Sequence, residues 1–171
     1  PGETAVLKLW DSYPGALRLQ VLRLGPNGAR TVDQETVTGS RVGPTRQVDG
    51  TQRAFRVRVG DWESGLYAVR LEWRDRLGFA PFVVRPRALG ENAVAVVQPT
   101  NTWQAYNYRC ANGDGVPDTW YYTQSCTTVD TSRPYLDRGV PPHFKSYDLG
   151  FVRWLWREGK HVDMLAQEDL E

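Results

Sequence analysis

The run Ala93 to Val97 (AVAVV) is continuously apolar, and it leads at once into the polar and aromatic stretch Gln98 to Asn107 (QPTNTWQAYN). A strand that does not alternate is expected to be buried on both faces, as in a parallel sheet covered by helices. Open α/β sheets carry their sites in the loops at the carboxyl ends of their strands, so residues 98–107 are the first place to look for chemistry.

Upstream of that run the pattern is different. Val6 to Trp10 reads as a first strand, broken at Tyr13-Pro14-Gly15. Leu17, Leu19 and Val21 share a face opposite Arg18 and Gln20, and Gly25-Pro-Asn-Gly28 ends that run in turn-forming residues. Further strands are expected at about Thr51 to Val59, Leu66 to Trp73 and Phe79 to Val84. Tyr67, Val69, Leu71 and Trp73 alternate with Ala68, Arg70 and Glu72, which predicts one apolar and one mixed face. Short alternating runs between turn signals predict an Ig-like β-sandwich over residues 1–87. Tyr67, just after Ser64-Gly65, is either a tyrosine corner or an ordinary core aromatic. Asp33 to Asp49 is poor in apolar residues and predicts a long or irregular connection.

Pro86 to Asn92 marks a change of architecture. Beyond it, residues 91–171 read as strand, long loop, helix, strand. Asp148 is the expected helix N-cap, Leu149, Val152 and Leu155 or Trp156 recur at helical spacing, and Gly159 suits the left-handed position after a helix end. With a strand from Val162 to Ala166, this is a βαβ crossover with a parallel pair. Two strands and one helix cannot cover such a sheet, so the chain is expected to be a fragment of a larger protein. It opens at Pro1 with no Met or signal-like segment, as a processed or excised piece does.

With 40% hydrophobic and 24% charged residues the composition is that of a globular protein, and no apolar run is long enough to span a bilayer. Pro1 to Arg87 holds 14 Lys+Arg against 9 Asp+Glu, and the remainder 7 against 11. The basic excess is Arg at alternate strand positions, as at Arg56 and Arg58, which reads as a solvated sheet face. No nucleic-acid motif accompanies it, so neither nucleic acid nor membrane is an expected partner.

The loop from Tyr108 to Lys145 is too long for a plain connector. It holds the chain's 2 cysteines, Cys110 and Cys126. A bridge between them would contribute roughly 3 kcal/mol through lost loop entropy and would favour an exported protein. Two separate thiols would favour a cytoplasmic one. Asn112-Gly-Asp114-Gly-Val-Pro-Asp118 resembles the core of a Ca²⁺ loop, but Cys110 and Tyr121 stand where its strongest carboxylates would be. A turn stabilised by its own Asn and Asp side chains accounts for the same residues. Asp118 to Tyr122 reads as local packing.

Segments in three separated parts of the chain resemble the N,N-dimethylformamidase large (beta) subunit family. Ser64 to Tyr67 (SGLY) and Phe79 to Pro86 (FAPFVVRP) are similar to the end of its β-domain. Ala93 to Asn107 is similar to the opening of its carboxy-terminal domain, and Phe151 to Gly159 (FVRWLWREG) through Asp163 to that domain's first helix and next strand. The resemblance implies a class I glutamine-amidotransferase-like α/β domain. It also implies hydrolysis of a small amide or formamide C–N bond, with iron held by two tyrosine phenolates and a glutamate. Tyr106, in Trp103-Gln-Ala-Tyr106-Asn107, matches the first tyrosine motif, and Tyr147, in Ser146-Tyr147-Asp-Leu149, is the match for the second. A phenolate is an anionic oxygen donor suited to Fe³⁺, and such an ion polarises an amide carbonyl. Glu168 and Glu171 occupy no matching context, so the third ligand and the catalytic groups are expected downstream of Glu171. Any oligomer is expected through the parent protein.

Other chemistries have less to stand on. There is no Gly-x-Ser-x-Gly, no Cys-x-x-Cys and no His beside either cysteine. His143 follows two prolines, and His161 sits just past the helix end, where the helix C-terminus favours it. The rival reading is a surface or binding protein whose α/β domain is degenerate. A sugar-binding or sugar-modifying protein rests on Trp and Tyr content alone.

Overall fold

The computed structural model describes residues 2–25, 37, 39–119, 121–122 and 126–170. The strands are β1 (Thr4–Lys8), β2 (Ala16–Leu24), β3 (Gly39–Asp49), β4 (Ala54–Arg58), β5 (Gly65–Trp73), β6 (Arg76–Val84), β7 (Ala95–Gln98) and β8 (Asp163–Ala166). Helices α1 (Thr100–Ala105) and α2 (Asp148–Arg157) lie between β7 and β8, and a 3₁₀ turn, Gln167–Leu170, follows β8. Strands dominate, mostly in antiparallel sheets.

β1 and β4 form one antiparallel pair, and β3-β2-β5-β6 form a second antiparallel sheet in that order. Alternation in β2 and β5 sends Leu17, Leu19, Val21, Tyr67 and Val69 to one face, where they meet Phe55, Val57 and Ala5 of the smaller sheet in one apolar cluster. Tyr67 fills much of this core at 1% exposure, and its hydroxyl donates to the Glu63 carbonyl at 2.8 Å. That bond, four residues back along the chain, is the tyrosine-corner geometry.

The same sheet is covered on its other side. Leu22, Leu24, Leu66, Ala68 and Phe79 pack against Trp103, Val140, Phe144, Leu149, Val152 and Met164. Gly65 to Val69 are therefore buried on both faces, although the alternation of β5 predicts a mixed, half-solvated one. Gly25, at the end of β2, has φ +108° and lies so close to the Trp156 ring that a Cβ would overlap it. Only Gly25 of the turn read at residues 25–28 is described.

Asp33 to Asp49 is not an irregular connection throughout: Gly39–Asp49 is β3, paired with β2 along the edge of the sheet. An edge strand needs only one ladder of hydrogen bonds and can face solvent, so few apolar residues are required. Its register shifts opposite Leu19 to Val21, where Gly43 (φ +74°) and Pro44 fall in the bulge. Residues 33–36 and 38 lie outside the described ones.

β7 and β8 pair in parallel, Ala95 with Asp163 through Gln98 with Ala166, with α2 in the crossover. Helix α2 buries Leu149, Val152 and Leu155 against the sheet. Its N-cap is Tyr147 rather than Asp148, with no side-chain cap bond, and Asp148 instead occupies the first turn. The C-terminus follows the expected rule: Gly159 has φ +62°, and the amides of Gly159 and Lys160 return to the carbonyls of Trp156 and Leu155 at 3.1 and 2.8 Å.

The expected burial of both faces of Ala93 to Val97 is not found. Val97 is 39% exposed, because among the described residues β7 pairs with β8 alone and only the side carrying Val96 and Gln98 faces the core, and Val94, ahead of the strand, is 56% exposed. The edge of β8 away from β7 is closed by the β-rich part. The Met164 amide donates to Ser64 Oγ at 2.7 Å, and that hydroxyl donates to the Val84 carbonyl at 3.1 Å. Buried Asp163 accepts from the amides of Gly90 and Asn92 and from the Asn92 side chain, at 2.8 to 3.1 Å, and so anchors the β6–β7 connection.

Candidate metal-ligand site

The stretch after β7, expected as a loop, turns directly into α1. This short helix is held by its contacts rather than by propensity, since an isolated helix of this length is unstable. Trp103 is buried edge-on against Phe144 (5.4 Å, 82°) and Tyr135 (6.4 Å, 83°). Tyr106 lies three residues past Trp103, as the C-cap of α1, and Tyr147 three residues past Phe144, as the N-cap of α2. The Trp103–Phe144 contact thus fastens together the two segments that carry the candidate phenols.

A buried polar scaffold holds the backbone around Tyr106. The Arg133 guanidinium, 3% exposed, donates to the carbonyls of Gln104, Asn107, Arg109 and Asp130 at 3.0 to 3.4 Å. Carbonyls at the end of α1 are thereby satisfied by a cation, the favourable sign for a helix C-terminus. Gln104 Nε2 donates to the carbonyls of Thr131 and Arg133, and Asn107 Nδ2 to Gln104 Oε1 and the Pro134 carbonyl, at 2.9 to 3.2 Å. The Thr119 hydroxyl donates to the Ala105 carbonyl.

Tyr106 itself is 37% exposed and stacks on Tyr121, with ring centroids 4.4 Å apart and planes at 17°. The Tyr121 phenol beside it, then desolvation and the Tyr108 phenol, hold its pKa above the ordinary tyrosine value. Tyr108 meets Tyr122 edge-on at 6.5 Å. Tyr147 is 70% exposed, with its ring 5.5 Å from that of His143. His143 has φ +59°, and its carbonyl accepts from the amides of Ser146 and Tyr147, both at 3.0 Å, so it forms the turn that delivers Tyr147. No ring contact joins Tyr106 to Tyr147 among the described residues.

The segment from Cys110 to Asp118 folds as a self-bonded turn. Asn112 Oδ1 accepts from the Asp114 amide (3.0 Å), Asp114 Oδ1 from the Val116 amide (2.7 Å) and Asp118 Oδ2 from the Ala111 amide (2.6 Å). The oxygens read as calcium ligands at Asn112, Asp114 and Asp118 thus serve local donors, as in Asx turns. Among the described residues no group of three or more His, Cys, Asp or Glu is arranged to hold a metal ion. The expected Cys110–Cys126 bridge is not formed. Both are free thiols, Cys110 Sγ facing Asn112 Oδ1 at 3.2 Å and Cys126 Sγ the Thr128 carbonyl at 3.2 Å. Trp120 lies outside the described residues.

At the carboxyl ends of β7 and β8 a cleft of about 460 Å³ is lined by Arg85, Thr100, Gln104, Tyr135, Glu168 and Asp169, among others. Thr100 donates to Glu168 (2.5 Å), and Arg85 pairs with Asp169 (3.1 Å) and Glu3 (3.0 Å). Burial raises the Tyr135 pKa well above the usual range, which keeps this phenol neutral. Sequence reasoning missed Arg133, Gln104, Tyr121 and Tyr135 as parts of the site. Each acts through a partner at least 15 positions away or through buried backbone carbonyls, and no local spacing records either.

A β-rich part joined through a shared core to a parallel βαβ unit, with tyrosines at the mouth of its helices, defines the class. The sequence profile of the family described as N,N-dimethylformamidase beta subunit-like, C-terminal, matches residues 18–171, and the chain belongs to that family. The match begins in β2, so it takes in the antiparallel sheet together with the βαβ unit. Among curated proteins none matches the chain. No helix among the described residues is long and apolar enough to cross a membrane.

Proposed function

We propose that this chain is part of an N,N-dimethylformamidase-like amidohydrolase that cleaves a small amide or formamide C–N bond, and that Tyr106 and Tyr147 are two ligands of its iron. The observation that carries this is the Trp103–Phe144 contact, which fastens both tyrosine-bearing segments at one end of the βαβ unit. Both phenols are accessible, as ligands of an open site need to be. The donor chemistry fits ferric iron as a partial set, two phenol oxygens that take a further acidic ligand to complete them.

Bound there, iron would polarise the amide carbonyl and acidify water. This chain's own contribution is to fix the phenols. Arg133 and Gln104 hold the α1 end, the His143 turn holds Tyr147, and the pair Tyr106–Tyr121 keeps one phenol ordered before metal arrives. The bare face and free edge of β7 support the reading that further strands of the same protein complete this sheet, since parallel sheets are covered on both faces. The Tyr67 corner supports assigning the β-rich part to the Ig-like kind. The divisions at residues 1–87 and 91–171 are then domains with a common core.

The test is iron content and formamide hydrolysis in the whole protein, with and without Tyr106→Phe. The expected result is bound iron and amine release in the wild type, and loss of both in the variant. An iron-free but active wild type, or a variant that keeps both properties, refutes the proposal.

A further inference from the structure

Tyr121 has no place in the ligand set, yet it is the residue in closest association with Tyr106. The two rings lie 4.4 Å apart and nearly parallel at 17°. The two residues arrive from opposite arms of the loop that leaves α1. Those arms are tied where the Asp118 amide donates to the Arg109 carbonyl at 3.2 Å, and where the Thr119 hydroxyl reaches the Ala105 carbonyl beside Tyr106. Thr119, fully buried, is thus the post from which Tyr121 is presented.

A phenol at an exposed helix end has several rotamers open to it, and each unproductive one weakens a metal site. A partner stacked on the ring removes that freedom, as outer-shell partners do for metal ligands generally. We propose that Tyr121 is a positioning residue for Tyr106: its ring fixes the plane of the Tyr106 ring and so the direction in which the Tyr106 oxygen is presented. The role in metal binding rests on Tyr106 being a ligand, whereas the positioning itself does not.

Two measurements separate these. In the metal-free chain, ring-proton NMR should show Tyr106 shifted by the neighbouring ring. Tyr121→Phe should keep that shift, while Tyr121→Leu should lose it with α1 amide signals unchanged. Unaltered Tyr106 signals in Tyr121→Leu overturn the positioning role. In the whole protein, ferric titration should give Tyr121→Leu an affinity about tenfold weaker. Tyr121→Phe, which keeps the stacked ring, should keep most of the affinity and the phenolate-to-iron absorption band, a rescue that a role of the Tyr121 oxygen as ligand would not allow. If Tyr121→Phe abolishes the band as completely as Tyr106→Phe, Tyr121 is itself a ligand and the positioning role is wrong. If wild-type iron gives no band dependent on Tyr106, the ligand reading falls and the NMR result alone decides the pair.

Discussion

β5 and β7 exchange the environments their sequences suggest. β5 alternates, Tyr67-Ala-Val-Arg-Leu, yet from Gly65 to Val69 it is buried on both faces. The run that enters β7, Ala93 to Val97, is uniformly apolar, yet one face is open to solvent at Ala95 and Val97. The difference is set by neighbours. β5 is an inner strand, with β2 and β6 beside it and α2 with its preceding turn above it, whereas among the described residues β7 has one partner and one covered face. Ala68 is small enough to lie under that layer, so a strand can be buried on both sides without a continuous apolar run.

Stability is the first way to break this contrast. Leu66→Ala removes a fully buried side chain and is expected to cost about 2–5 kcal/mol, whereas Val97→Thr should change stability by no more than about 0.5 kcal/mol. Urea unfolding of both variants checks it, and comparable losses would mean that the β7 face is covered in solution. A smaller effect is expected within β5. Tyr67→Phe removes only the hydroxyl that donates to Glu63, for a loss of about 1 kcal/mol in the same measurement.

Two carboxylates of the βαβ unit should respond to pH in opposite senses. At Asp163 burial pushes the pKa up, but the Asn92 side chain and the amides of Gly90, Asn92 and Glu91 together outweigh it and leave the value lowered. Its contribution to stability is present above the ordinary carboxylate value of about 3.9 and is lost as pH falls through the lowered native one. At Asp148 burial dominates and raises the pKa, so its contribution is full in acid and is lost as pH rises through the native value. Asp163→Asn should flatten the acid limb of the stability curve, and Asp148→Asn should raise stability at neutral pH relative to acid. Limbs unchanged by either substitution would reject the assignment. The slightest effect is expected at the thiols: Cys110 and Cys126 should both alkylate without reductant, and a mass shift on reduction would restore the bridge.

Much of the fold was legible where periodicity and punctuation agree: the alternation of β2, the helical spacing of Leu149, Val152 and Leu155, and Gly159 as a stop. β3 was not, because an edge strand facing solvent needs no apolar pattern and carries Gly43-Pro44 in a bulge. Tyr106 and Tyr147 could be marked from motif resemblance, and the contact that fastens their segments depends on Trp103 and Phe144, forty-one residues apart. Arg133 was invisible as a scaffold because its partners are carbonyl oxygens, which every residue supplies. The disulfide failed as an expectation because the Cys110 thiol has a local partner in its own Asn112 turn.

The central claim is that Tyr106 and Tyr147 share one iron. Visible absorption of the whole iron-loaded protein tests it most directly, through the phenolate-to-iron band in Tyr106→Phe, Tyr147→Phe and the double variant. Tyr106→Phe should abolish the band, as should the double change, and Tyr147→Phe should weaken and shift it. A band that survives Tyr147→Phe unaltered would contradict the claim.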